Sequence, residues 1–354
     1  MIRGKCKNMN LNTEMVSEIY SHIQDEKSKV IYANRLLYSL TKDRKYLVNV
    51  TRESCVYDKM RDILTETEGE KVIFGAGELG QLFYDYFNNI ADFTCFIDSY
   101  KTGTYKDISI ISIDEYIKNK NKGTIFICSW FNNAEQYKQL MDFGVAEERI
   151  VNVARVMNKE MQQTQYFDLP EFYELKTDEE VFVDGGAYDG STSLQFMEWC
   201  NNKYKKIYVL EPDSLNIEKC KKKLKAVSED KIVLCNKGLA EKEEVLHFTN
   251  SHDGSAKISE DGDSCIEVVS LDNLIPENVT FIKMDIEGAE YQAILGAKRL
   301  LEEYKPKLAI SMYHKPEDMW EIPSLILKIN PEYKFYLRHY TMTKDGLETV
   351  LYAI

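Results

Sequence analysis

Val181-Phe182-Val183-Asp184-Gly185-Gly186-Ala187-Tyr188-Asp189-Gly190 is the stretch on which the fold turns. A short apolar, β-branched run stops at an acid. Two adjacent glycines follow, a third stands at Gly190, and Ser191-Thr192-Ser193 comes next. That order predicts a buried strand, a tight turn and a helix start. Glycine lets the backbone approach a bound molecule that a Cβ would hold away. One helix further on, Ile207-Tyr208-Val209-Leu210 ends at Glu211. A carboxylate there can accept hydrogen bonds from both hydroxyls of a ribose. A glycine turn with an acid at the end of the next strand describes a nucleoside-binding crevice in an open α/β sheet.

The spelling D-G-G-x-x-x-G, in place of G-x-G-x-x-G, favours S-adenosylmethionine over NAD as the nucleoside. Apolar runs predict strands over 181–184, 206–211, 231–235, 280–285, 307–313, 334–340 and 348–354, with helical stretches between most of them. The last two are joined only by 341–347, which contains Asp345-Gly346. That link is too short for a parallel crossover, so the pair must be an antiparallel hairpin. The expected fold is α/β: the mostly parallel, Rossmann-like sheet of class I methyltransferases, ending in an antiparallel hairpin.

Upstream, Met15, Val16, Ile19, Ile23, Leu36, Leu37 and Leu40 recur at helical spacing, and residues 1–68 read as a helical region. Lys71-Val72-Ile73-Phe74-Gly75-Ala76-Gly77-Glu78-Leu79-Gly80 follows as strand, G-x-G-x-x-G turn and helix. The next strand, Phe93–Ile97, ends at Asp98, where a ribose-binding acid belongs. A third strand over 124–128 ends in Ser129, and 150–153 closes the unit. Residues 69–153 are thus expected to form a second, small Rossmann-like domain. Residues 154–178 have few strand signals and read as a linker, with a helix carrying an aromatic anchor at Tyr166-Phe167 as the form it could take. The larger domain is expected over 179–354.

The length of 354 residues suits two domains. A net charge of −13 argues against a nucleic-acid partner. The lysines of 219–225 read as the solvated face of a helix. No apolar run approaches the ~20 residues of a membrane span, and no apolar h-region marks a signal peptide. The eight cysteines are scattered without a C-x-x-C pair, and Cys95, Cys128 and Cys235 lie in apolar runs. Reduced core cysteines in a cytoplasmic protein are the expectation.

Three segments together carry a family resemblance: Phe182–Gly190, Leu210-Glu211-Pro212, and Phe281-Ile282-Lys283-Met284-Asp285-Ile286-Glu287-Gly288-Ala289-Glu290. About residues 166–354 resemble the FkbM-type S-adenosylmethionine-dependent methyltransferases, and K-x-D-x-E-G-x-E after an apolar strand is the most specific of the signals. The resemblance implies S-adenosylmethionine as donor and O-methylation of a hydroxyl on a sugar, sugar nucleotide or related metabolite, with a small-molecule or glycan acceptor.

The residues themselves divide into two ends of one crevice. On the donor side, Asp184, Gly185, Gly186, Ala187, Asp189, Gly190 and Glu211 surround the cofactor. The turn passes under methionine and ribose, Asp184 or Asp189 takes the ammonium directly or through water, and Glu211 holds the ribose. Turn and helix-cap chemistry is the competing reading of the two aspartates. On the acceptor side stand Asp285, Glu287 and His314. Asp285 would position the acceptor hydroxyl or take its proton. His314 would serve as general base, since imidazole titrates near neutral pH. The competing readings are a helix cap for the two acids and a loop hydrogen bond for the histidine. Lys283 shares a strand face with Asp285, and a buried lysine needs a carboxylate partner. A metal bridged by these acids stays open. His339 reads as structural or acceptor-facing, and the loop His252-Asp253-Gly254-Ser255 as a border of the crevice.

The smaller domain has its own resemblance, carried by Val72–Gly80, Phe96-Ile97-Asp98 and Ser112-Ile113-Asp114-Glu115-Tyr116. It is similar to small Rossmann-like domains beside sugar-modifying enzymes, which implies a nucleotide or nucleotide-sugar near Gly75, Gly77, Gly80 and Asp98. The competing reading keeps that turn for packing alone. Two other functions compete with methyl transfer. A nicotinamide-dependent sugar-nucleotide oxidoreductase leaves 283–290 unexplained, and a non-catalytic sugar-nucleotide-binding protein would bind without turnover.

Overall fold

The computed structural model describes residues 11–119, 122–228, 230–249, 257–258 and 264–354. They form two compact units. One comprises residues up to Asp43, Tyr166–Arg338 and Glu348–Ile354; the other comprises Arg44–Gln165 and His339–Leu347.

The first unit is built on a seven-stranded sheet. Its strands are β1 (Glu180–Gly185), β2 (Tyr204–Leu210), β3 (Ile232–Cys235), β4 (Phe281–Met284), β5 (Lys307–Ser311), β6 (Phe335–His339) and β7 (Thr349–Ala353). They lie in the order β6-β7-β5-β4-β1-β2-β3. β1 to β5 pair in parallel, and β7 runs antiparallel to β5. Lys334 and Ile354 exchange both backbone hydrogen bonds, the mark of an antiparallel pair, so β6 and β7 close as a hairpin. This is the mostly parallel, Rossmann-like sheet with a terminal antiparallel hairpin that the sequence predicts.

From β1 the chain winds one way to β2 and β3, then returns to lay β4 on the other side of β1. That reversal is where an open α/β sheet holds its ligands. β1 is buried at every residue, as a central parallel strand covered on both faces must be. Phe182 on β1 stacks on Phe196 with ring centroids 4.3 Å apart, and Phe281 and Phe172 meet edge to face beside them. Burial of each such ring contributes roughly 1.5–3 kcal/mol.

The helices Thr13–His22 and Glu26–Thr41 belong to this unit. Asn12 and Asp25 cap them by accepting from the backbone N–H of Met15 and Ser28. They pack on the helix Asp318–Ile329. Ser28 Oγ accepts from Leu337 N at 2.8 Å, and Arg338 pairs with Asp25 at 2.9 Å, which ties them to β6. The helices Lys45–Arg52 and Cys55–Glu66 belong to the other unit. The single helical region expected over 1–68 is therefore divided, because a 3.6-residue period marks an apolar face without saying which core receives it. Between β3 and β4 an unexpected four-stranded sheet intervenes, with strands Gly238–Leu239, Glu244–Thr249, Lys257–Ile258 and Ser264–Val269.

The second unit has a six-stranded sheet in the order Gly103–Tyr105, Ile108–Ile111, Phe93–Ile97, Lys71–Phe74, Thr124–Ile127 and Ile150–Asn152. All its pairs are parallel except the hairpin of the first two. Cys95 and Cys128 are buried in its two cores. The helix Val153–Thr164 packs into this unit through Val153, Ala154 and Met157, while Tyr166 and Phe167 are buried in the first unit's part of the chain. The stretch expected as a linker holds the helix and the aromatic anchor allowed for it, and the two units divide within it, at 165/166. Among the described residues no helix is long and apolar enough to cross a membrane.

Candidate active site

β1 and β4 pair in register, with Lys283 opposite Asp184 and Met284 opposite Gly185. The glycine turn and the acidic segment therefore leave the sheet side by side. Asp285 N donates to Gly185 O at 3.1 Å. Gly186 has φ +73°, and a Cβ there would lie 1.9 Å from Asp285 O. Only glycine permits this crossing of the two backbones.

Lys283 finds the partner its burial demands. Its Nζ lies 3.2 Å from Asp184 Oδ1 and donates to Gly185 O at 3.1 Å and Gly186 O at 2.8 Å. Asp184 is fully buried, and its other oxygen accepts from Ser193 Oγ at 2.7 Å. Its carboxylate thus ties turn, helix and β4 together. Asp189 Oδ1 accepts from Ser191 N at 2.9 Å, and Oδ2 pairs with Lys223. Burial opposes its charge, but the hydrogen bonds from Lys223 and Ser191 prevail and hold its carboxyl below the usual value. Ala187 is buried and its carbonyl accepts from Gly190 N at 2.8 Å, closing the turn.

Glu211 Oε2 accepts from Tyr188 N at 2.8 Å and Oε1 from Asp213 N at 2.9 Å. Asn216 adds a side-chain hydrogen bond, and of the roughly four lone-pair sites of a carboxylate one is left for a ribose hydroxyl. Burial pushes its carboxyl above the ordinary glutamate range.

Across the β1–β4 junction, Asp285 receives two tyrosines. Tyr166 OH donates to Oδ2 at 2.8 Å and Tyr313 OH to Oδ1 at 2.9 Å. Burial opposes the Asp285 charge, but Lys283, His314 and the two hydroxyls hold its carboxyl low. Burial and the Asp285 charge push both tyrosines far above their usual range, so they remain donors.

His314 sits among carboxylates. Nδ1 lies 3.0 Å from Glu290 Oε1, and Nε2 lies 3.4 Å from Asp285 Oδ1 and 3.8 Å from Glu287 Oε2. Burial alone would lower its pKa, but Glu290, Asp285 and Glu287 raise it to about 9. The three acids thus favour the protonated ring, in which the proton a general base would take is already in place. The expectation of His314 as base meets this obstacle, whose cause is the convergence of three acids. Nor does a side-chain cap close the helix Glu290–Leu295 at Ala289. Instead Glu290 Oε1 accepts from Ile286 N at 2.9 Å. Glu287 and Gly288 both take left-handed φ, +58° and +93°, and Lys315 Nζ donates to Gly288 O. Asp318 borders the group, with burial and Glu290 pushing its carboxyl up to about 7.

Tyr166, Tyr313 and Glu290 escaped the sequence reading as site residues. Glu290 stands inside the K-x-D-x-E-G-x-E segment and Tyr313 beside His314, so both carried a signal; Tyr166, in the expected linker, carried none. His339 is buried at the end of β6. The loop His252–Ser255 lies outside the described residues.

The second unit has a cavity of about 400 Å³ at its glycine turn, lined among others by Gly77, Asp98, Tyr100, Trp130, Phe131 and Gln136. Packing explains two of its glycines. A Cβ on Gly75 would lie 2.6 Å from Cys128 O, and one on Gly80 would lie 1.8 Å from Gly75 O. Gly77 has nothing within 4 Å. Asp98 Oδ2 accepts from Ala76 N, and Oδ1 from Tyr100 N and Lys101 N, so its carboxylate already orders the loop. Tyr100 and Phe131 are both exposed.

Residues 184–339 match the family profile described as Methyltransferase FkbM domain. Among solved structures, the chain is similar to Methyltransferase FkbM from Methylobacillus flagellatus, at 22% identity over 84% of this chain and 93% of that one, with a TM-score of 0.46. It is also similar to fibrillarin from Aeropyrum pernix with natively bound S-adenosyl-L-methionine, at 11% identity over 51% and 68%, TM-score 0.33. A SAM dependent methyltransferase from Aquifex aeolicus matches at 13% identity over 63% and 98%, TM-score 0.32. No curated protein matches the chain.

Proposed function

We propose that this chain, an S-adenosylmethionine-dependent methyltransferase of the FkbM type through residues 184–339, methylates a hydroxyl of a sugar, sugar nucleotide or related metabolite. The observation that carries this reading is the β1–β4 junction. Glu211, a buried acceptor held by the backbone of Tyr188 and Asp213, stands on one side of the glycine turn, and the Asp285 group stands on the other, with Gly186 and Asp285 in backbone contact.

In this reading Glu211 holds a ribose hydroxyl, and Gly185, Gly186, Ala187 and Gly190 shape the floor under ribose and methionine. Asp189 faces the ammonium, and Asp184 positions the turn through Lys283 and Ser193. The methyl group is activated by its sulfonium, so alignment and exclusion of water supply much of the rate. The S–CH3 bond breaks with its electron pair left on sulfur, giving S-adenosylhomocysteine, as the acceptor oxygen bonds the methyl carbon. That oxygen becomes strongly acidic during transfer. Asp285 takes its proton late and passes it to solvent, while His314, Tyr166 and Tyr313 hold the carboxylate in place. Glu287 borders the acceptor.

The test is transfer of labelled methyl from S-adenosylmethionine to a panel of sugars and sugar nucleotides, beside calorimetry with S-adenosylhomocysteine. The reading expects one-to-one donor binding and label on oxygen. A folded protein that binds no S-adenosylhomocysteine, or that reduces a nicotinamide during turnover, would overturn it.

The cavity of the second unit favours a further ligand there, a nucleotide or nucleotide sugar. Gly77 supports it, because no protein atom requires glycine at that position. The exposed rings of Tyr100 and Phe131 offer faces for a base or a sugar.

A further inference from the structure

Asp285, Glu290 and His314 each offer a ligand atom within 4.8 Å of the others. Metal bonds of ~2.0–2.2 Å place two ligands of one ion about 3–4 Å apart. One ring nitrogen binds an ion, and at either nitrogen the carboxylate it faces stands at a fitting distance: 3.0 Å from Nδ1 to Glu290 or 3.4 Å from Nε2 to Asp285.

The hydrogen bonding of Glu290 and His314 is incomplete. Glu290 is fully buried, yet its Oε2 has no hydrogen-bond partner. A buried carboxylate oxygen left in that state costs free energy that a bound cation would recover. The His314 side chain is 8% exposed, and neither ring nitrogen makes an aligned hydrogen bond. Both nitrogens instead point among carboxylates, with Glu287 standing behind as a third acid at 3.8 Å. The nearby cations are engaged elsewhere: Lys283 with Asp184 and the turn carbonyls, Lys315 with Gly288 O. Because the two ring nitrogens face different carboxylates, the ion would take the place of one ring proton, which leaves to solvent, while the other nitrogen still donates to an acid. That is the arrangement that orients histidine ligands generally.

We infer that Asp285, Glu290 and His314 form a site for one divalent first-row metal ion of the Mn2+ to Zn2+ class. Two carboxylates and an imidazole make a mixed donor set, harder than a thiolate site and softer than the all-oxygen sites of Mg2+ and Ca2+. Glu287 is the reserve ligand. The ion's role beside the acceptor rests on the methyltransferase reading: there it would draw the acceptor hydroxyl's proton away as a Lewis acid. The binding itself rests only on the residues.

The experiment uses the full chain without a histidine tag, stripped by chelator and titrated with Co2+. Visible d–d absorption should saturate at one ion per chain, and Zn2+ and Mn2+ should compete. Glu290→Gln keeps an acceptor for Ile286 N, and His314→Gln puts an uncharged carboxamide in place of the ring. Each should weaken Co2+ by more than about 100-fold, beyond what outer-shell partners are worth. Melting curves and S-adenosylhomocysteine binding, measured on the same samples, report folding. Three results would sink the site: no transition-metal binding by protein that still binds S-adenosylhomocysteine, binding of Mg2+ or Ca2+ alone, or unchanged Co2+ affinity in both folded variants. Metal binding without S-adenosylhomocysteine binding would keep the site and remove the methyltransferase reading.

Discussion

Lys283 and Asp184 face each other across β4 and β1, and their side chains meet 3.2 Å apart in the interior. The pair fixes where β1 gives way to the glycine turn, because the same ammonium also holds the carbonyls of Gly185 and Gly186. A charge left alone there has no solvent to fall back on. Lys283→Met should therefore cost about 3–5 kcal/mol of stability, read as a lower denaturation midpoint. The double variant Lys283→Met/Asp184→Asn should recover part of that loss. A double variant no more stable than Lys283→Met would mean that the lysine matters for the carbonyls and not for Asp184.

Glu211 sets the second expectation. Glu211→Ala should weaken S-adenosylhomocysteine by about 1–3 kcal/mol through lost charge-assisted hydrogen bonds. Calorimetry on the full chain measures it. An unchanged affinity in a folded variant would take Glu211 out of the donor site.

The same residue gives a pH signature with two signs. Burial raises the folded-state pKa of Glu211. Its charged form is thus a cost to the unliganded fold above that pKa, and the cost vanishes as pH falls below the unfolded value. Donor hydroxyls need the anion. Acidification should therefore weaken donor binding from above the ordinary glutamate range while this one residue's burden on the free protein lightens. Isothermal titrations across acidic pH on wild type and Glu211→Gln separate the two. The acidic fall in affinity should be absent from the variant.

Asp285 and its tyrosines should act on the transfer step. Asp285→Asn should lower the single-turnover rate by about 10²–10⁴ at saturating donor and acceptor. Tyr166→Phe removes one hydrogen bond to a charged group, worth about 1.5–3 kcal/mol, and should slow transfer by roughly 10–100-fold. Donor affinity should stay near wild type in both. If melting temperature, donor binding and rate all fall together, the group is structural.

Two glycines of the second unit should behave differently. Gly80→Ala places a Cβ against Gly75 O and should destabilise by about 1–3 kcal/mol through overpacking. Gly77→Val enters open space. It should leave the melting curve almost unchanged and remove nucleotide or nucleotide-sugar binding. Nucleotides that fail to bind wild type at high concentration would leave the turn as a packing device.

Much of the donor side was legible in the sequence, because strand, turn and acid are local and ordered along the chain. The seven strands of the main sheet and the hairpin forced by the short 341–347 link followed from runs and spacing. What stayed hidden depends on distant residues. Tyr166 reaches Asp285 across 119 positions, which no period encodes. The charge of His314 depends on three acids converging on one ring. Glu244–Thr249 carried an alternation, with Val245 exposed and Leu246 half-buried against Ile266 and Val268. Shared among short strands, that signal is weak against a helical expectation. The G-x-G-x-x-G turn was easy to see and says less than it seemed to, because packing alone accounts for Gly75 and Gly80.

β7 follows β5 and β6 in the chain but lies between them in the sheet. Translation therefore delivers both outer partners before the strand that joins them. Until residues 349–353 leave the ribosome, β5 carries an open edge beside Tyr313 and His314, and β6 has no neighbour in the sheet. Exposed edges recruit other strands, and nascent chains in this state are prone to misassembly. The sheet cannot close before β7 has been made, and a chain cut short before residue 349 would emerge with that edge unsealed.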